Sequence, residues 1–78
     1  MDKIIVGIDI GTTKICTIAG KVEQTGELKI LGKGFTNFHG VKKGVIVDVD
    51  ETANAIRNSV EQAETEAGLS INSAFVNI

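Results

Sequence analysis

The chain has 78 residues, with eight Lys and Arg against ten Asp and Glu and a formal charge of −2. That length makes at most one small domain, and with three Phe and no Trp or Tyr its core must rest on Ile, Val, Leu and Ala. The charges are spread without a concentrated basic footprint, which argues against nucleic acid as a partner. No run reaches the ~20 apolar residues that a membrane-spanning helix needs.

Lys3 to Ile10 reads KIIVGIDI, a nearly continuous β-branched run of the kind expected for a central strand buried on both faces. Gly11-Thr12-Thr13 punctuates it, and a second β-rich run from Lys14 to Val22 follows too soon for a crossover helix. The two runs therefore predict a hairpin turning at the glycine. Glu23 to Gly26 is a second turn, with Thr25-Gly26 offering a positive φ. A third strand is expected from about Glu27 to Phe35 or Phe38, with Gly32 and Gly34 marking a bulge or a close backbone approach. Asn37 to Gly44 reads as a loop, and Val45-Ile46-Val47 is short for a strand.

Asp48 opens the clearest helix, with Glu51 three residues later completing a variant of the capping box. Val49, Ala53, Ile56, Val60, Ala63 and Ala67 recur at spacings of four and three, predicting an apolar stripe. Gly68 ends the helix, and Leu69 is placed to cap it by a hydrophobic contact. Ile71 to Ile78 alternates loosely and reads as a fourth strand. Three antiparallel strands, a helix and a strand parallel to the first give an α/β fold, the opening half of a ribonuclease-H-like domain. A chain ending on an apolar strand residue reads as a piece of something longer.

The chemistry gathers at Asp9-Ile10-Gly11-Thr12-Thr13-Lys14. A tight glycine turn directs backbone N–H groups to one side, where they can converge on a phosphate. Gly11 lets the backbone approach closely, and Thr12 and Thr13 add hydroxyls. Asp9 supplies a hard oxygen ligand beside the turn, as a Mg²⁺–nucleotide site requires, often through metal-bound water. Lys14 begins the second strand, where its side chain either reaches a phosphate or points to solvent. The plainer alternative is a structural hairpin in which Asp9 caps the turn.

Other residues read as structural. Cys16, the lone cysteine, cannot form an internal disulfide, suits a reducing compartment and is expected to pack as a buried thiol. The Lys42-Lys43 doublet reads as a solvated loop. His39 has no ligand partner at metal spacing, and helix capping accounts for Asp48 and Asp50. The GxxxxGK[ST] spacing of a P-loop is absent from the sequence.

VGIDIGTTK resembles the first phosphate-binding motif shared by actin, heat-shock chaperones, sugar kinases and bacterial filament proteins, and so the actin-like ATPase superfamily. The segment GKGFTNFHGVKKGVIVDVDETANAIRNSVEQAE narrows the likeness. Its glycine-flanked basic loop, its GVIVD and a helix ending in A-E-x-x-A-G resemble the FtsA family of division proteins, and the likeness runs over the whole chain. The resemblance implies an ATP- and Mg²⁺-binding protein that polymerises, joins the tubulin-like division protein FtsZ and ties the division ring to the cytoplasmic face of the inner membrane. It implies that Asp9 approaches Mg²⁺ through water while Gly11, Thr12, Thr13 and Lys14 cradle the β- and γ-phosphates. It also implies that residues 1–78 are the amino-terminal part of the first actin-like subdomain, truncated near the point where the family's inserted subdomain begins. The second phosphate motif, the adenosine motif and a membrane-targeting helix would lie beyond Ile78. At most weak ATPase turnover is then expected of the whole protein, and none of this piece alone. A pilus-assembly protein or a sugar kinase of the same superfamily, or a ribonuclease-H-type metal nuclease using Asp9, are the alternatives.

Overall fold

The computed structural model describes residues 3–38, 41–42, 45–46 and 48–77. Strand β1 (Lys3–Ile10) pairs antiparallel with β2 (Lys14–Val22), from Lys3 opposite Val22 to Ile10 opposite Ile15. β2 pairs antiparallel in turn with β3 (Leu28–Asn37). Their connection is a tight turn in which the Gly26 N–H donates to the Glu23 carbonyl at 2.9 Å, and the Glu23 N–H to the Glu27 carbonyl at 2.9 Å. Gly26 sits at φ 89°, the left-handed conformation that the Thr25-Gly26 pair predicts.

Between β3 and the helix lies a short antiparallel pair, β4 (Val41–Lys42) and β5 (Val45–Ile46), where the sequence suggested a loop over Asn37 to Gly44 followed by a run short for a strand. Helix α1 (Val49–Ala67) follows, and then β6 (Phe75–Asn77), parallel to β1 with Gly7 opposite Phe75. The main sheet is therefore mixed, in the order β3-β2-β1-β6, with one helix against it. The last strand is shorter than the expected 71–78. The Ile71 N–H donates to the Glu64 carboxylate at 2.7 Å, so the chain there is tied to the helix end and not to a sheet ladder.

The helix ends follow local rules. Asp48 takes an extended φ of −132° and its Oδ1 accepts from the Glu51 N–H at 2.9 Å. At the other end Gly68 adopts φ 72°, and its N–H and that of Leu69 converge on the Glu64 carbonyl at 2.8 and 3.3 Å.

The buried face of α1 differs from the expected stripe. Thr52, Ala55, Ser59 and Ala63 are buried, with Ile56 and Val60 half-buried beside them. Val49 is 73% exposed and Ala53 is also exposed. The reason is the closeness of the helix to β3. A Cβ at Gly32 would stand 2.5 Å from the Ala63 carbonyl oxygen, and one at Gly34 would collide with the Ser59 carbonyl oxygen. Contact so tight admits small side chains, whether hydroxyl-bearing or apolar. Gly32 also follows a bulge: Ala19 faces Gly32 and Gly20 faces Ile30, leaving Leu31 as the extra residue. Both meanings that the sequence offered for these glycines are thus present.

Under the helix, Ile8, Ile10, Ile15, Phe38 and Ala55 form the core cluster, with Ile56, Val60 and Ala74 packed against it. β1 contributes Val6, Ile8 and Ile10, while Lys3 and Asp9 are exposed and Ile5 and Gly7 half-buried. The expectation of burial on both faces is corrected: Val6, Ile8 and Ile10 are buried on the helix side while Ile4 is exposed, and among the described residues no helix lies over the other face.

Candidate functional site

The hairpin between β1 and β2 sits on the hydrophobic core. Ile10 and Ile15, the last pair of the ladder before the turn, are 4% and 0% exposed. The Gly11 N–H closes the turn by donating to the Lys14 carbonyl at 3.0 Å. A Cβ on Gly11 would stand 3.1 Å from that same oxygen, so glycine is favoured here by space and not by a left-handed φ. From the other side the Phe38 N–H donates to the Thr13 carbonyl at 2.9 Å, and the Phe38 ring is buried. The turn is held from both flanks.

On this base the five residues singled out in the sequence come together. Asp9, Gly11, Thr12, Thr13 and Lys14 line one recess of about 460 Å³, completed by Cys16 and Phe35. Asp9, Thr12, Thr13 and Lys14 are exposed. The Lys14 ammonium lies 5.8 Å from the centre of the Phe35 ring, within cation–π reach. That contact places the lysine over the open face of the sheet, beside the turn.

Cys16 and Phe35 are the walls that sequence reasoning missed. Asp9 pairs with Cys16 and Cys16 with Phe35, so the three form one row across β1, β2 and β3. Counting outward from the glycine turn gives that row, because partners directly opposite share a face. Cys16 is half-buried on the open face, which corrects the expectation of a fully buried thiol.

The donor set of the recess limits what cation it could hold. Asp9 is the one carboxylate among the residues lining it, and no group of three or more His, Cys, Asp or Glu is found among the described residues. A single exposed carboxylate beside backbone amides suits a hard divalent ion that keeps most of its water and shares the rest of its shell with a phosphate. An all-protein cage would need more oxygen ligands than this recess presents.

The remaining candidates are structural or lie elsewhere. Asp48 is the helix cap, Asp50 is in the first helical turn, and His39 lies outside the described residues. Lys42 is part of β4, whereas its neighbour Lys43 is also outside the described residues. Among the described residues no helix is long and apolar enough to cross a membrane.

Comparison with known proteins gives a consistent result. The chain is 42% identical over 76 residues to cell division protein FtsA of Pseudomonas aeruginosa, covering 97% of this chain and 18% of that protein. It is 40% identical over 72 residues to FtsA of Streptococcus pneumoniae, covering 92% of this chain and 16% of that one. With FtsA of Bacillus subtilis it shares 38% identity over 77 residues, covering 99% and 17%. The chain thus spans less than a fifth of the length of these relatives. No family model matches it.

Proposed function

We propose, from its likeness to cell division protein FtsA along nearly its whole length, that the chain carries the amino-terminal phosphate-binding turn of an ATP-binding, actin-like division protein. The whole protein would polymerise, bind FtsZ and link the division ring to the cytoplasmic face of the membrane through regions outside this chain. The observation that carries the reading is the recess in which Asp9, Gly11, Thr12, Thr13 and Lys14 meet. The name shared by the three relatives above favours it over the pilus-assembly and sugar-kinase alternatives.

In this reading the mixed sheet and α1 are the opening part of a ribonuclease-H-like, actin-like subdomain, and the turn stands at its nucleotide cleft. Mg²⁺, when bound with ATP, offsets the charge of the β- and γ-phosphates. Asp9, at the end of β1, would hold the metal through its bound water. Because the Gly11 N–H is engaged by the Lys14 carbonyl, phosphate oxygens draw chiefly on the amides and hydroxyls of Thr12 and Thr13. Gly11 contributes by admitting the close approach, and Lys14 contributes positive charge from its position over Phe35.

The test is calorimetry of Mg²⁺–ATP binding to the full-length polypeptide. Asp9→Ala and Thr12→Val are each expected to weaken it by about ten- to a hundredfold, the range set by losing one charge-assisted contact of roughly 1.5–3 kcal/mol. The 78-residue chain alone, offering one wall of a cleft, should bind no tighter than about millimolar, a free energy of roughly −4 kcal/mol. Unchanged affinity in full-length Asp9→Ala would reduce the turn to a structural hairpin.

A further inference from the structure

β3 is an edge strand: it pairs with β2 on one side and, among the described residues, has no strand on the other. An edge of this kind presents unpaired N–H and C=O groups and invites another strand. At its centre, however, the site is filled from the helix. The Phe35 N–H donates to Gln62 Oε1 at 3.2 Å, and Gln62 Nε2 donates to the Phe35 carbonyl at 3.0 Å. One side-chain amide thus makes both bonds that an incoming antiparallel strand would make to that residue.

The outward-facing backbone groups of a strand recur every second residue. With Phe35 facing outward, Lys33 and Asn37 are its equivalents, and the bulge at Leu31 interrupts the ladder on the far side. The regular free edge is therefore three residues long, and Gln62 holds its middle one. We infer that Gln62 guards this edge, whose outward-facing residues between Lys33 and Asn37 are three, keeping β3 from pairing with β3 of a second copy of the chain. A second copy is the occupant that the geometry selects. Two identical edges meeting antiparallel about a two-fold axis are self-complementary, and a three-residue edge centred on Phe35 has that symmetry built in.

Gln62 is exposed, and Ala is the strongest helix former, so Gln62→Ala should fold with an unchanged helical signal. Sedimentation equilibrium of this variant is expected to show self-association tighter by roughly tenfold than in the unchanged chain, the scale of two freed hydrogen-bonding sites. Amide exchange at Lys33, Phe35 and Asn37 should slow as concentration rises, which separates edge pairing from contact through the open sheet face. Gln62→Glu keeps an acceptor for the Phe35 N–H and sets a charge at the edge, so it should associate no more than the unchanged chain. The idea is overturned if Gln62→Ala associates no more tightly, if its edge amides gain no protection with concentration, or if Gln62→Glu pairs as the alanine variant does.

Discussion

One buried hydroxyl pair joins the helix to the sheet. Thr17 Oγ1 and Ser59 Oγ lie 2.7 Å apart with both residues fully buried, and Ser59 also donates to the Ile56 carbonyl at 3.0 Å. Since Ser59 has a single hydroxyl proton, the Thr17 proton must go to Ser59. This order makes the two positions unequal. Ser59→Ala leaves the Thr17 hydroxyl without its acceptor in a closed contact, and should lower stability by about 1–3 kcal/mol. Thr17→Val leaves Ser59 bonded to Ile56 and should cost less, while the double variant should cost less than the sum of the two. Urea unfolding of the four proteins checks this, and additivity within about 0.5 kcal/mol would mean the hydroxyls are not coupled. The sequence shows a Thr and a Ser at ordinary positions, far apart in the chain. What joins them is the packing distance between helix and sheet, and no local pattern carries that. The turn at Gly11 was readable for the opposite reason, because its glycine and the two strand ends that flank it are contiguous in the chain.

For the secondary-structure elements, the seat of α1 on β3 governs the packing. Gly34 has no room for a Cβ between the Ser59 backbone and the Gln62 side chain, whereas a Cβ at Gly7 would meet nothing within 4 Å. Gly34→Ala should therefore push the helix outward and destabilise the fold by roughly 1–3 kcal/mol, the usual cost of overpacking. Gly7→Ala should be neutral or slightly stabilising, because Ala loses less backbone entropy than Gly. Thermal unfolding of the two variants side by side is the comparison, and equal midpoints would contradict the close seating. The same seat explains why the helix ends were legible and its buried face was not. Asp48 and Gly68 act through bonds within a few residues of themselves, so capping rules suffice. The face was read from hydrophobicity, but a helix lying this close to a glycine-bearing strand buries its smallest residues: Thr52, Ala55 and Ser59 are buried, whereas Val49 and Ala53 of the expected stripe are exposed.

The whole molecule is a sheet with one covered face. On the other side Ile18 is 42% exposed, Phe35 58% and Phe75 77%, and with Gly7 and Cys16 they edge the ground around the candidate site. Ile5, between Ile4 and Val6, gave the impression of a strand buried on both sides, because sequence records the apolar side chains but not which of them this chain covers. The strand order from β1 to β3 was legible, since two short turns leave little choice but a hairpin each time. The parallel placement of β6 followed from the helix acting as a crossover. Its length did not, because the bond from Ile71 to Glu64 lies outside any periodic signal.

That parallel pairing has a consequence in time. β6 meets β1 along only three residues, Gly7 to Asp9 against Phe75 to Asn77, and the partners come from opposite ends of the chain. Closing so long a loop has an entropic cost that three rungs recover only after the hairpins and helix have shortened the distance between them. β6 should therefore join last during folding and detach first under native conditions, as a local opening that leaves β1–β2–β3 and α1 intact. Native-state hydrogen exchange read residue by residue tests this: the amides of β6 should exchange through an opening free energy well below that of the β1–β2 ladder. Equal protection in the two would make the sheet a single cooperative unit, whereas a lower value makes β6 the latch by which this end of the chain can be released.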